Sequence, residues 1–211
     1  MITAETIIDG DFASEEVTRL RDEADIIVTN PPFSLFRKFL AWIMEGHKQF
    51  LILGNKNAVT YKEVFPFIQN NQMWLGVSQA NEFDTPDGKS KKVQGLVRWF
   101  TNLDHGYRHV DTPYLTMKQH TMLGHTFKKY DYIDAIDIPK VSMLPKDYTG
   151  YMGVPVTFLD SYNPEMFEII NVLNHYLVIP DENMCNPPGT YATAIDGVPQ
   201  YVRILIRRRF E

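Results

Sequence analysis

Asp25-Ile26-Ile27-Val28-Thr29-Asn30-Pro31-Pro32-Phe33-Ser34 changes character twice in ten residues. Its first five residues centre on the apolar run Ile26-Ile27-Val28, which is the pattern of a short strand buried on both faces. Asn30-Pro31-Pro32 then breaks it, because proline has no backbone N–H and a fixed φ. Ser34 is placed to cap a helix whose apolar residues Leu35, Phe36, Phe39, Leu40 and Ile43 recur at helical spacing, with Gly46 as the stop.

The same strand-then-helix alternation extends to either side. Upstream, Thr6-Ile7-Ile8 predicts a strand ending at Gly10-Asp11-Phe12, and Ser14 with Glu15 and Glu16 opens a helix. Downstream, Phe50-Leu51-Ile52-Leu53 predicts a third strand closed by Gly54. Thr60 with Glu63 has the spacing of a capping box, although Pro66 calls for a late helix start or a kink. Strand and helix in alternation require crossover connections, hence an α/β fold with a parallel sheet.

Past Asn71 the pattern loosens. Met73-Trp74-Leu75 and the segment Gly95 to Phe100 read as strands around a polar loop from Asn81 to Lys92. Asp104 to Lys146 lacks periodicity, as functional loops often do. Order returns at Val154 to Phe158. Asn163 and Pro164 predict a helix through Phe167, Ile170 and Leu173, and Tyr201 to Arg207 predicts a final strand.

Composition sets outer bounds. A chain of 211 residues with 44% hydrophobic and 22% charged residues can bury a substantial core. No apolar stretch is long enough to span a bilayer as a helix. One cysteine, Cys185, excludes an internal disulfide and fits a reducing cytoplasm. The net charge of −5 does not exclude nucleic acid, because a binding face needs only local positive charge.

The Asn30 loop falls where open α/β sheets bind ligands, at the carboxyl end of a strand. An Asn side-chain oxygen and an outward proline carbonyl can together accept both N–H bonds of an exocyclic amine. Such acceptors localise the nitrogen lone pair toward an electrophile and favour the positive charge that then develops. Phe33 offers a flat face for a base. A plain Asn-Pro-Pro turn is the alternative. Asn186-Pro187-Pro188-Gly189 repeats the first three residues with no apolar strand before it and no aromatic after it, and reads as such a turn.

Residues 25–33 resemble the catalytic signature of amino-methyltransferases that use S-adenosylmethionine. With Ser34 to Phe39, Phe50 to Ala58, Arg98 to His105 and Val154 to Phe158, the chain resembles the EcoRI-type adenine-specific DNA methyltransferases over most of its length. The resemblance implies a Rossmann-like, doubly wound and mostly parallel sheet of the class I methyltransferases, incomplete at the N-terminus, followed by a mixed α+β recognition region. It implies a partial catalytic core over residues 1–103, with a DNA-recognition region and C-terminal core elements over 104–211, in one continuous domain. The implied function is site-specific methylation of adenine N6 in double-stranded DNA within a restriction–modification system, in the cytoplasm. Asn30, Pro31, Pro32 and Phe33 would form the catalytic loop, Asp11 and Phe12 would touch the donor's adenine, and no metal is called for.

One departure accompanies the resemblance. The family's glycine-rich donor turn has no counterpart, since no Gly-x-Gly occurs in the chain. A missing N-terminal segment or a second chain would then complete the donor site. A partner-dependent nucleic-acid-binding subunit, an RNA-adenine enzyme and a protein-glutamine enzyme stay open as alternatives. Elsewhere, Trp99 and Phe100 are further stacking candidates, with core packing the alternative for at least one of them. Asn55-Lys56-Asn57 lies at a second strand end beside the Asn30 loop. His105, His109, His120 and His125, Lys89 to Lys92 and Arg207 to Arg209 read as surface or DNA-facing groups.

Overall fold

The computed structural model describes residues 11–84, 88–174, 178–179 and 184–210. The strand expected at Thr6-Ile7-Ile8 lies outside them, as does Gly10. The chain divides into two compact units, Met1–Asp104 and His105–Glu211.

The first unit opens with helix α1 (Glu15–Glu23), capped by Ser14, whose side chain accepts from the Val17 N–H. Strand β1 (Ile26–Thr29) leads through a 3₁₀ turn (Phe33–Leu35) into helix α2 (Phe36–Glu45). Strand β2 (Gln49–Asn55), a second 3₁₀ turn (Lys56–Thr60) and the short helix α3 (Phe65–Gln69) follow. The long strands β3 (Trp74–Asp84) and β4 (Ser90–Thr101) complete the unit. The sheet order is β1-β2-β4-β3. β1 and β2 run parallel, from Ile26 beside Gln49 to Thr29 beside Ile52, whereas β4 is antiparallel to both β2 and β3. The fold is therefore α/β with a mixed sheet.

Several expectations need correction. β1 is not buried on both faces: Ile26 is 45% and Val28 62% exposed, and β2 is its one strand partner among the described residues. Ser34 does not cap α2, because the first turn after Pro32 is 3₁₀ and α2 begins only at Phe36 without a side-chain cap. Thr60 and Glu63 form no capping box. Thr60 closes a 3₁₀ turn instead, and Pro66 imposes the late start, with helix from Phe65. The polar stretch after Asn81 is strand on both sides of the tip, where Glu82 pairs with Lys92 and Asp84 with Ser90.

α2 buries Phe36, Phe39, Leu40 and Ile43. The Phe36 ring lies 4.9 Å from that of Phe100, and both close over Gly54 of β2. A Cβ at Gly54 would overlap the Phe36 ring and stand 2.8 Å from Phe100. The start of β2 is clipped to the end of β4: the Thr101 hydroxyl donates to the Phe50 carbonyl (2.6 Å), and Asn102 accepts from the Phe50 N–H (2.8 Å). α1 touches α2 through Arg21, which donates to the Trp42 carbonyl at 2.7 Å and sits 5.0 Å over the indole.

In the second unit, helix α4 (Met117–Met122) carries a full capping box between Thr116 and Gln119. Its main sheet combines β5 (Ala135–Asp137), β6 (Tyr151–Pro155), β7 (Phe167–Leu173) and, after two intervening short strand pairs, the last described strand. Those intervening strands are β8 (Val178–Ile179), β9 (Met184–Cys185), β10 (Ala194–Ile195) and β11 (Val198–Pro199), and the last is β12 (Arg203–Arg208). The order is β5-β6-β12-β7. The helix expected through Phe167, Ile170 and Leu173 is thus strand β7. Asn163 does cap a turn, accepting from the Glu165 N–H at 2.8 Å, but the chain then pairs with β12. Asp137, almost buried, accepts from both Tyr130 (2.7 Å) and Arg203 (2.9 Å). Burial and the adjacent carboxylate push the Tyr130 phenol well above its ordinary value.

Gly54→Ala should destabilise the first unit by about 1–3 kcal/mol through overpacking against Phe36 and Phe100. Urea unfolding measures this; an unchanged midpoint would show that the rings have room.

Candidate functional site

The Asn30 loop follows β1 directly, and the 3₁₀ turn plus α2 hold its far end. Parallel pairing makes β1 and β2 end at the same edge of the sheet, with Thr29 beside Ile52 and β2 running on to Asn55. Asn55 stabilises its own loop, accepting from the Asn57 N–H at 2.9 Å.

Within the signature, burial separates the roles of neighbours. Pro31 is buried and anchors the loop, whereas Asn30, Pro32 and Phe33 are exposed. The Asn30 side chain makes no hydrogen bond among the described residues, and no described N–H donates to the Pro31 carbonyl. The Pro32 carbonyl, in contrast, accepts from the Leu35 N–H at 2.9 Å, which closes the 3₁₀ turn. Two acceptors thus stand uncommitted at the strand end, and the second proline fixes the turn that follows them. Phe33 is 41% exposed, while Phe36, three residues on, is in the core.

A cleft of about 510 Å³ opens beside this loop, lined by Phe33, Ser34, Arg37, Tyr61, Lys62 and Glu63. Asn30, Pro31 and Pro32 adjoin it in sequence but are not among its lining residues. Arg37 lies 5.8 Å over the Tyr61 ring and bonds Glu63 at 3.3 Å. None of Arg37, Tyr61 or Lys62 was singled out by the sequence pattern. The available signal was position, since these residues follow two adjacent parallel strands.

Asp11 and Phe12 sit elsewhere. Phe12 is half-buried, with its ring edge-on to Phe39 (5.1 Å) and Trp42 (5.7 Å) of α2. Asp11 is exposed; its Oδ1 accepts from the Ala13 N–H at 3.0 Å. Neither lines the cleft. Of the other stacking candidates, Phe100 is fully buried against Phe36 and belongs to the core, and Trp99 is partly buried.

In the second unit, Asn186 is buried and donates to the Thr190 carbonyl at 3.0 Å, so this other Asn-Pro-Pro ties up its amide within its own turn. His109 lies 3.1 Å from Glu165, and His120 pairs with His125 at 2.9 Å. Among the described residues no three His, Cys, Asp or Glu side chains gather as a metal site, and no described helix is long and apolar enough to cross a membrane.

Phe33→Ala should cost about 1 kcal/mol or less, as for a surface substitution, whereas Phe36→Ala should cost about 3–5 kcal/mol. Paired urea titrations test the contrast; equal losses would place Phe33 in the core as well.

Residues 3–209 match the family model described as adenine-specific methyltransferase EcoRI. Type II methyltransferase M.EcoRI of Escherichia coli is 38% identical over 218 residues, covering 95% of this chain and 63% of that protein. Type II methyltransferase M.MgeORF184P of Mycoplasma genitalium is 34% identical, and M.MpnI of Mycoplasma pneumoniae 35% identical, each over 95% of this chain and 69% of the relative. The chain thus spans 63% to 69% of the length of these relatives. No solved structure matches it at a significant level.

Proposed function

Because the chain belongs to the EcoRI family of adenine-specific methyltransferases, we propose that it serves in site-specific methylation of adenine N6 in double-stranded DNA, within a cytoplasmic restriction–modification system. The observation that carries this reading is the pair of uncommitted acceptors, the Asn30 side-chain oxygen and the Pro31 carbonyl, beside an exposed Phe33. The parallel β1-α2-β2 crossover supports a Rossmann-like, doubly wound arrangement around the site. The second unit is assigned to DNA recognition on the same reading.

An adenine amine is a weak nucleophile because its lone pair is shared with the ring. Accepting one N–H each, Asn30 and Pro31 draw the nitrogen toward tetrahedral geometry and direct the lone pair outward. Their dipoles also stabilise the positive charge that grows on nitrogen, so no base is required before attack. The surplus proton leaves to water afterwards. Phe33 supplies the stacking face, and a base in a duplex must be turned out of the helix to reach it. The rigid Pro31-Pro32 backbone keeps both acceptors from collapsing onto internal donors.

The methyl donor is S-adenosylmethionine, which supplies an electrophilic methyl on a sulfonium. Asp11 and Phe12 fit its adenine. The Asp11 carboxylate is exposed, and its Oδ2 has no hydrogen-bond donor among the described residues, so it can accept from an amino group. The Phe12 ring, held edge-on by Phe39 and Trp42, retains partial exposure for packing against a flat ring.

Asn30→Ala should lower methyl transfer by about 10²–10³-fold, the usual effect of losing one preorganised polar partner. Thermal unfolding should be unchanged, since the side chain makes no hydrogen bond among the described residues. Methyl incorporation into duplex DNA reads the first quantity; retained transfer would remove Asn30 from the mechanism.

A further inference from the structure

We propose that the cleft beside Phe33 is a phosphate clamp, in which Arg37, Lys62 and Ser34 hold the DNA backbone next to the extruded adenine. This inference rests on the DNA reading above and adds a binding site that the adenine chemistry does not require.

The cleft has one wall in common with the catalytic loop, the exposed ring of Phe33, and its opposite wall is the segment Tyr61 to Glu63 after β2. Ser34, in the 3₁₀ turn, and Arg37, in the first turn of α2, both line the same space. The Ser34 hydroxyl and the Lys62 ammonium make no hydrogen bond or ion pair among the described residues, and both residues are exposed. Arg37 is oriented from two sides: Tyr61 lies under its guanidinium at 5.8 Å, and Glu63 accepts from it at 3.3 Å. Arg37 lines the cleft, and a guanidinium edge matches two phosphate oxygens.

Charge and chemistry select the occupant. Lining charges are two cations and one carboxylate, and the carboxylate is already engaged with one of the cations. An incoming phosphate competes with Glu63 for Arg37 and takes Lys62 and Ser34 without competition. The flanking aromatics, Phe33 and Tyr61, are 41% and 39% exposed, which suits a nucleotide, with sugar and base edges as well as charge. An acidic peptide would use the cations but has no need of two exposed rings. A turned-out base strains the backbone on either side of it, and a clamp one residue from the stacking ring would hold that bent backbone in place.

Glu63 distinguishes a clamp from a plain surface salt bridge. If the Arg37–Glu63 pair serves only the fold, Arg37→Gln and Glu63→Gln are equivalent losses. In a clamp they act in opposite directions, because removing the carboxylate frees the guanidinium.

The test is fluorescence anisotropy of a labelled 25-base-pair DNA duplex titrated with the intact chain over a range of salt concentrations, with thermal unfolding of each variant as the fold control. Arg37→Gln and Lys62→Gln should each weaken binding by about tenfold and reduce the slope of log K against log salt by about one. Glu63→Gln should strengthen binding by a few fold. Wild-type affinity and slope in Arg37→Gln and Lys62→Gln, with the unaltered chain binding DNA, would overturn the clamp and leave the methylation reading standing. Weakening by Glu63→Gln equal to that by Arg37→Gln would also overturn it. If the unaltered chain bound no DNA, the DNA reading would fall and the clamp with it.

Discussion

The packing of Phe36 into the space left by Gly54, against Phe100, is the contact on which the site depends. It fixes the first turn of α2 to the middle strands of the sheet. The Asn30–Phe33 loop has one end in β1 and the other in that turn, so its course is set at both ends. Without a side chain at position 54, α2 approaches the sheet closely enough for the 3₁₀ turn at Phe33–Leu35 to form directly after the prolines. The exposed Phe33 and uncommitted Asn30 follow from that placement. A strained or displaced α2 would give the loop freedom to satisfy its own acceptors, as in the Asn186 turn, where the Pro187 carbonyl accepts from the Thr190 hydroxyl.

Much of the first unit was legible in the sequence because its signals were local and agreed with one another. Ser14 with Glu15 and Glu16, the 3.6-residue spacing of Phe36, Phe39, Leu40 and Ile43, and the run at Phe50 all led to the observed elements. Failures came where tertiary pairing decided. Phe167 and Leu173 fit both a helical and a strand period. Burial of Phe167, Ile169 and Leu173 follows the two-residue period, imposed by the partner strand β12. Asn163 and Pro164 correctly marked a turn, but a cap cannot propagate a helix through the β-branched Ile169, Ile170 and Val172.

The cleft residues were hidden for a different reason. Arg37 lies on the polar face of an amphipathic helix, where charge is the default, and Tyr61 and Lys62 follow a 3₁₀ turn with no pattern of its own. Only the parallel register of β1 and β2 brings the two segments together. In the same way, the apolar composition of β1 suggested burial on both faces, yet composition does not report how many neighbours a strand has.

The account's central claim is that the Asn30 loop directs methylation to an adenine amine. Incubating the chain with duplex DNA and S-adenosylmethionine, then analysing the digested nucleosides by mass spectrometry, tests it most directly. The account predicts N6-methyladenine as the methylated nucleoside. Methylation confined to cytosine, with adenine left unmodified, would contradict it.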